Sequence, residues 1–187
     1  NAMATADKIM TFKMAVRTVA RRHGLHATFM PKPRSEFNGS GMHLKFSLVK
    51  DGQNIFECKE TPGKISDAAF YFAGGLLAHS REMALITNPL VNSYKRLVPG
   101  YGAPTELTWT DSDQKSLVRI PFFRGQESMV ELRSPDAAAN PYLVLAVCLA
   151  AGMDGIRKRL VPLKAGETEN PDCLPETLKE AIDIFEN

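Results

Sequence analysis

The sequence predicts an α+β fold in which a mainly antiparallel sheet packs with helices. Apolar residues recur at helical spacing in several segments, and polar and apolar residues alternate through 42–49. A hairpin signal, Asp51-Gly52, follows the alternating segment directly, which favours antiparallel strand pairing. The length of 187 residues suits one domain or one large piece of a domain.

Composition excludes several classes of protein. A net charge of +2 gives no reason to expect nucleic acid or an anionic membrane as a partner. The longest apolar run, 142–153, is too short to span a bilayer. Cys58, Cys148 and Cys173 match no zinc or redox spacing, so we interpret them as reduced thiols of a cytoplasmic protein. Asn1-Ala2 before Met3 resembles a tag remnant, and no secretory segment follows.

The N-terminal part is predicted to contain one helix, one strand and a loop. Apolar spacing predicts a helix over Asp7–His23, with Asp7 as its cap and Gly24 at its end. His26–Met30 is predicted to be a short strand. Proline and other turn residues predict a loop from Pro31 to Gly41.

The alternating segment Met42–Val49 is predicted to be a strand that lines a pocket. His43, Lys45 and Ser47 would project from one face, and apolar residues would pack the core from the other. A hairpin turn is predicted at 50–53.

A long helix is predicted from Ser66 to about Thr87, ended by Asn88-Pro89. The Gly74-Gly75 pair weakens helix formation by about 1 kcal/mol per residue relative to Ala, so we expect close packing there. Asn92–Gly102 is predicted to be a structured loop.

The C-terminal part is predicted to add three strands and two helices. Asn140-Pro141 is a strong start signal for the first of these helices, which would continue to about Leu160. The other elements are strands at Thr105–Thr110, Leu117–Ile120 and Met129–Arg133, a connector at 161–175, and a helix at Glu176–Glu186.

One segment has the composition of a ligand-binding loop. In Asn38-Gly39-Ser40-Gly41-Met42-His43, two glycines around a serine let the backbone approach a ligand closely. Taken alone the pattern is weak, because any tight turn uses such residues. A histidine on a polar strand face is likewise usually a satisfied imidazole.

Four strings in order resemble the glutamine synthetase family over roughly residues 7–186. They are Asn38-Gly39-Ser40-Gly41-Met42-His43, Val91-Asn92-Ser93-Tyr94-Lys95-Arg96-Leu97-Val98-Pro99-Gly100-Tyr101, Val118-Arg119-Ile120-Pro121, and Val130-Glu131-Leu132-Arg133-Ser134-Pro135-Asp136. The resemblance implies that residues 4–187 form part of a glutamine synthetase catalytic domain. It also implies the reaction: ATP phosphorylates the side-chain carboxylate of L-glutamate, and ammonia then displaces phosphate.

The resemblance implies a role for each matching residue. His43 and Glu131 would bind one Mg²⁺ or Mn²⁺ ion. The other implied roles concern substrate and phosphate. Asn38 and Gly39 would hold the amino-acid substrate, Arg96 and Arg133 its carboxylate and the phosphorylated intermediate, and Lys45, Ser47 and Arg119 the nucleotide, with the three arginines catalytic.

A simpler interpretation of the arginines is a surface or inter-strand ion pair. Glu131 and Arg133 are two apart in a predicted strand, so both would project from one face. That arrangement suits a shared site, and it equally suits a surface charge ladder.

Three positions depart from the family pattern. Gly102 stands where the family typically has a glutamate thought to attract ammonium, Gln114 lies where an arginine usually serves phosphate, and Lys45 replaces a histidine. Losing one charge-stabilising group costs a factor of about 10²–10³. The sequence is therefore also compatible with a ligase for a larger amine, or with a non-catalytic family member.

The resemblance also implies domains and strands that this sequence does not contain before Asp7. Family members carry an N-terminal β-grasp-like domain and upstream strands with further metal-binding glutamates. We therefore expect the isolated chain to be an inactive fragment of a longer ligase. The parent would form a homo-oligomeric ring that acts on L-glutamate, ATP and ammonia or another amine.

Overall fold

The computed structural model describes residues 1–58, 61, 64–98, 102–112, 116–121 and 127–187. Within them are six helices and six strands. The helices are α1 (Ala2–Arg22), α2 (Asp67–Ala78), α3 (Ser80–Thr87), α4 (Val91–Arg96), α5 (Pro141–Lys158) and α6 (Leu178–Glu186). The strands are β1 (Leu44–Phe46), β2 (Val49–Lys50), β3 (Gln53–Asn54), β4 (Glu106–Thr110), β5 (Ser116–Arg119) and β6 (Val130–Leu132).

The main sheet has the strand order β1-β6-β5-β4. β6 pairs antiparallel with both of its neighbours, β1 and β5, whereas β4 pairs parallel with β5. The expectation of a mainly antiparallel sheet is confirmed, with one parallel pairing that the sequence did not indicate. β2 and β3 form the predicted hairpin, in which Asp51 and Gly52 both adopt positive φ, as a tight two-residue turn requires.

One face of the sheet packs against α2, and α5 packs against α2. Leu44, Phe46 and Leu132 are buried from the sheet side, and Phe72 of α2 lies 5.5 Å from the ring of Phe46 between centroids. The alternation predicted through 42–49 is confirmed, because His43, Lys45 and Ser47 are exposed on the other face. Hydrogen-bonded β1 itself is shorter than predicted.

α2 and α5 cross at glycines on both helices. A Cβ atom at Gly75 would lie 2.1 Å from the carbonyl oxygen of Ala151, and one at Gly155 would lie 2.2 Å from that of Tyr71. The close packing expected at Gly74-Gly75 is therefore confirmed. α5 begins as predicted at Asn140, whose side chain accepts from the backbone N–H groups of the first turn.

Three element predictions were wrong, and a fourth element, α1, starts earlier than predicted. No strand forms at His26–Met30, which is irregular, and a helix, α4, occupies 91–96 where a loop was expected. The helix predicted over 66–87 is interrupted at His79, whose ψ of 6° lies outside helical geometry. α1 begins at Ala2 rather than Asp7, and Asp7 instead accepts a 2.6 Å hydrogen bond from the Tyr142 hydroxyl. None of the helices in the described part of the chain has the length and hydropathy needed to cross a bilayer.

Candidate active site

The polar face of the sheet gathers charged residues from three neighbouring strands. In the register of the sheet, Lys45 of β1 and Arg119 of β5 both lie opposite Glu131 of β6. Residues opposite one another on paired strands project to the same face. The face turned away from α2 therefore carries Lys45, Glu131 and Arg119 side by side.

Glu131 is the centre of this cluster. Its side chain is 2% exposed. Its Oε2 accepts from Arg119 Nε at 2.6 Å, and its Oε1 lies 3.1 Å from His43 Nδ1. Arg119 thus makes an inter-strand ion pair, one of the simpler interpretations open at the sequence level. The surface charge ladder does not apply to Glu131, because the carboxylate is buried.

His43 is poised in its neutral form. Partial burial lowers the pKa of His43, an effect that the Glu131 carboxylate opposes and that Arg133 and Arg96 reinforce. A neutral imidazole is the form that binds metal ions. With the proton on Nδ1, His43 donates a hydrogen bond to Glu131, and the lone pair on Nε2 stays available to a cation.

His43 and Glu131 fit a divalent cation only as part of a larger ligand set. They supply one imidazole nitrogen and one carboxylate, whereas Mg²⁺ takes about six ligands, several of them usually water. In the described ranges, no group of three or more His, Cys, Asp or Glu side chains could hold a metal ion. The remaining ligands would have to be water, phosphate oxygens or further carboxylates.

Arg96 lies buried beneath the Gly-Ser-Gly loop. It is the last residue of α4, is 5% exposed, and donates from Nη2 to the backbone carbonyls of Ser134 and Pro135, the latter at 3.3 Å. Burial lowers the pKa of Arg96 and Asp136 raises it, but an arginine stays charged in proteins. Among the described residues, no carboxylate lies within salt-bridge distance of this guanidinium and its Nε has no partner.

The two glycines of the loop make room for Arg96. A Cβ atom at Gly39 would lie 2.4 Å from the carbonyl oxygen of Pro31 and 2.8 Å from Arg96 Cγ. At Gly41 it would lie 2.8 Å from Arg96 Nη1. The glycines in the motif are therefore required by the arginine that passes under them, a reason that the sequence did not reveal.

The loop is anchored by residues to which the sequence assigned no role. The Asn92 side chain donates to the backbone carbonyl of Lys32 at 2.8 Å and accepts from its N–H at 2.7 Å. Lys32 Nζ in turn donates to the carbonyl of Phe37 at 2.7 Å. The signal available for Asn92 was its place in the second family string, beside Arg96.

The other predicted site residues differ in their surroundings. Arg133 is buried, with Nη1 3.5 Å from the Ser116 carbonyl, and its charge acts on His43. Neither Arg96 nor Arg133 is a surface arginine. The remaining predicted contacts are exposed: Asn38 on the loop, Lys45 in β1, and Ser47 just after β1.

The positions that depart from the family pattern are only partly described. Gly102 is exposed with φ +75°, and a Cβ atom there would meet nothing within 4 Å. Gln114 and the stretch 99–101 lie outside the described residues.

The comparisons with known proteins agree with the four strings. The family model described as "Glutamine synthetase, catalytic domain" matches residues 1–187. The chain therefore belongs to the glutamine synthetase family, within its catalytic domain. Glutamine synthetases of Clostridium saccharobutylicum and Thermus thermophilus are 50% and 52% identical to it, each over 99% of this chain and 44% of the relative.

Solved structures share the fold. A chain titled "GmaS/ADP complex-Conformation 1" superposes with a TM-score of 0.88 at 38% identity, over 100% of this chain and 46% of that one. Plasmodium falciparum glutamine synthetase gives a TM-score of 0.89 at 28% identity, over 99% and 46%. The α+β prediction is confirmed, and the chain spans less than half the length of these relatives.

Proposed function

We propose that the full-length protein containing this chain is an ATP-dependent ligase that joins ammonia to the side-chain carboxylate of L-glutamate. The observation that carries the proposal is the buried Arg96 beneath Gly39 and Gly41, close to the Glu131–His43 pair. The 50% identity to proteins named glutamine synthetase supports the same reaction. On the family basis we also propose a homo-oligomeric ring in the cytoplasm, in keeping with three free cysteines.

Arg96 and Arg133 are proposed to bind the anionic groups of the amino acid and of its phosphorylated form. A guanidinium matches carboxylate and phosphate oxygens in a planar fork. Support for Arg96 comes from its surroundings, because a buried cation held by backbone carbonyls keeps its charge available to a substrate. Asn38 and the backbone of Gly39 would bind the same amino acid from the loop.

Lys45, Ser47 and Arg119 are proposed to contact the nucleotide. Lys45 and Arg119 flank Glu131 on the polar face, and Lys45 and Ser47 are exposed, which supports this assignment. The structural neighbour with ADP in its title adds support for a nucleotide in this fold.

His43 and Glu131 would hold Mg²⁺ or Mn²⁺ together with ligands from outside this pair. When bound, the ion would offset negative charge on the phosphates. Because the described part of this chain offers only a partial ligand set, we expect the 187-residue chain alone to be inactive.

The proposed chemistry has two displacements. An oxygen of the glutamate side-chain carboxylate attacks the terminal phosphorus of ATP, and ADP leaves, which gives γ-glutamyl phosphate. The nitrogen of ammonia then attacks the acyl carbon, phosphate leaves, and a proton passes to solvent. Arg96, Arg133 and Arg119 would stabilise the negative charge that moves through the site, usually the largest contribution to catalysis of this kind.

One observation favours a second candidate, a ligase for a larger amine. Gly102 is exposed with open space around it, and it stands where the family typically has an ammonium-binding glutamate. Without that carboxylate the attraction for ammonium is lost, and a larger acceptor would meet less obstruction.

Phosphate release by the full-length protein tests both candidates. With ATP and L-glutamate present, we expect release to depend on ammonia. Turnover only with a larger amine from a panel of primary amines would support the second candidate. ATP binding without turnover on any amine would overturn both in favour of a non-catalytic protein, and Arg96→Lys should abolish any turnover found.

A further inference from the structure

A fully buried aspartate lies in the turn that holds Arg96. Asp136 is 0% exposed, and it follows the two residues whose carbonyls accept from Arg96. Its Oδ1 accepts from the Ala138 N–H at 2.9 Å, and its Oδ2 from Asn88 Nδ2 at 3.3 Å. No Lys, Arg or His in the described ranges forms a salt bridge with it, so only amide groups hold this carboxylate.

Asn88 connects the aspartate to the carbonyl that Arg96 uses. The same Nδ2 donates to the Ser134 carbonyl at 2.9 Å, and the Thr87 hydroxyl donates to Asn88 Oδ1 at 2.8 Å. Asn88 is itself 0% exposed. One buried amide therefore fixes both the carboxylate of Asp136 and a hydrogen-bond acceptor of Arg96.

The same turn also supports the Gly39–Gly41 loop. The backbones of Gly41 and Asp136 form an antiparallel bridge, and Met42 N–H donates to the Pro135 carbonyl at 2.8 Å. The Asp136 N–H is bound to the Thr87 carbonyl at 3.2 Å. A shift of this turn would therefore move Arg96 and the loop above it together.

The charge of Asp136 also stabilises the buried Arg96. A buried cation is costly unless a buried anion compensates it. Asp136 acts on Arg96 in that sense, since it opposes the lowering of the arginine's pKa by burial. Ser134 and Pro135, whose carbonyls accept from Arg96, directly precede Asp136 in the sequence.

We propose that Asp136, held by Asn88, is a positioning residue that keeps Arg96 and the Gly39–Gly41 loop in the geometry that receives the amino-acid carboxylate. This inference rests on the proposed function only in the identity of the ligand that Arg96 binds. Asp136 does not touch the substrate, and acts through Arg96.

Asp136→Asn in the full-length protein tests the inference. Both carboxylate oxygens accept N–H groups, so an amide of the same shape satisfies only one of them and removes the charge. We expect the KM for L-glutamate to rise at least about tenfold while the KM for ATP stays within about twofold. Asp183→Asn, an exposed change of the same type on α6, should leave both constants unchanged.

A milder variant covers the case in which Asp136→Asn does not fold. Thr87→Val keeps the shape and removes the hydroxyl that orients Asn88, so the KM for L-glutamate should rise about two- to fivefold with that for ATP unchanged. In either variant, equal changes in both constants, or a lower melting temperature with both constants unchanged, would overturn the inference.

A crystal structure of the folded variant separates the inference from the proposed function. We expect the Arg96 guanidinium to have left the carbonyls of Ser134 and Pro135. An Arg96 that has not moved would overturn the positioning role, even in a protein that makes the amide. A wild-type protein without turnover would refute the proposed function, and the position of Arg96 in the variant would still decide the inference.

Discussion

Gly41→Ala is the sharpest perturbation of the candidate site. Gly41 has no positive φ, so alanine is allowed by the backbone. The obstacle is the Arg96 guanidinium, because the new Cβ would lie 2.8 Å from Nη1, whereas an ordinary contact begins near 3.4 Å. The next nearest atom, the Pro135 carbonyl oxygen, is already at 3.7 Å. The variant therefore displaces the guanidinium proposed to bind substrate and little else.

The magnitude follows from that displacement. Nη1 must retreat by about 0.6 Å, and a misplacement of about 1 Å in an active site can cost about 10²-fold in rate. We expect kcat/KM for L-glutamate to fall about 10- to 100-fold, or about 1.4–2.7 kcal/mol of transition-state stabilisation. Stability should fall by no more than about 2.6 kcal/mol, because crowding costs about 1–3 kcal/mol while replacing glycine regains about 0.4–1 kcal/mol.

Steady-state kinetics of the full-length protein at saturating ATP measure the effect. Ser40→Ala is the matched control, since Ser40 is exposed and its backbone N–H still donates to the Pro31 carbonyl at 2.8 Å. A Gly41→Ala variant with kcat/KM within about twofold of the wild type would refute the reasoning about Arg96.

Three further predictions concern other parts of the chain. Hydrogen bonds that the His79 ring donates to Glu82 and Asp154 raise the pKa of His79. The stabilisation they give is therefore complete below about pH 6.5 and is lost as pH rises through the raised pKa. His79→Gln should thus lower the melting temperature at about pH 6 more than at about pH 9, and an equal loss at both would contradict this. Gly75→Ala should lower the free energy of unfolding in urea by about 1–3 kcal/mol, because its Cβ would meet a backbone carbonyl oxygen of α5 at 2.1 Å; an unchanged midpoint would show that the helices separate freely. Gly102→Glu in the full-length protein should raise turnover with ammonia relative to larger amines by about 10²-fold, at about 1 kcal/mol of backbone strain; an unchanged ratio would exclude a role for this position in amine choice.

The sequence correctly predicted the elements that turn and capping residues determine. Asp51-Gly52 fixed the hairpin, and Asn140-Pro141 fixed the start of α5, because turn and capping preferences act over a few residues. Alternation along 42–49 correctly placed His43 on the polar face. These features need no knowledge of distant contacts.

Elements that depend on distant partners were missed. His26–Met30 has a strand-like sequence, but a strand forms only beside an available edge, which the sequence does not reveal. The six-residue α4 is too short for a hydrophobic period, although Ser93 at its third position accepts from the Leu90 N–H, as in a capping box.

In the candidate site too, individual residues were predicted from the sequence, whereas the contacts between distant residues were not. The family strings predicted Arg96 and Glu131 as site residues, but not the network of hydrogen bonds around them. Asn88 and Asp136 lie 48 positions apart, and only the fold shows that one amide connects that carboxylate to the carbonyl beside Arg96. Likewise, the inter-strand pair between Arg119 and Glu131 depends on the register of β5 and β6.

Transfer of ¹⁸O from labelled glutamate tests the central claim most directly. If the full-length protein phosphorylates the side-chain carboxylate and an amine then displaces phosphate, one labelled side-chain oxygen must leave with each phosphate released. We therefore expect one ¹⁸O in the inorganic phosphate and one in the amide product per turnover. Phosphate released without label would mean that ATP is split by water, and would contradict a glutamine synthetase-type ligase.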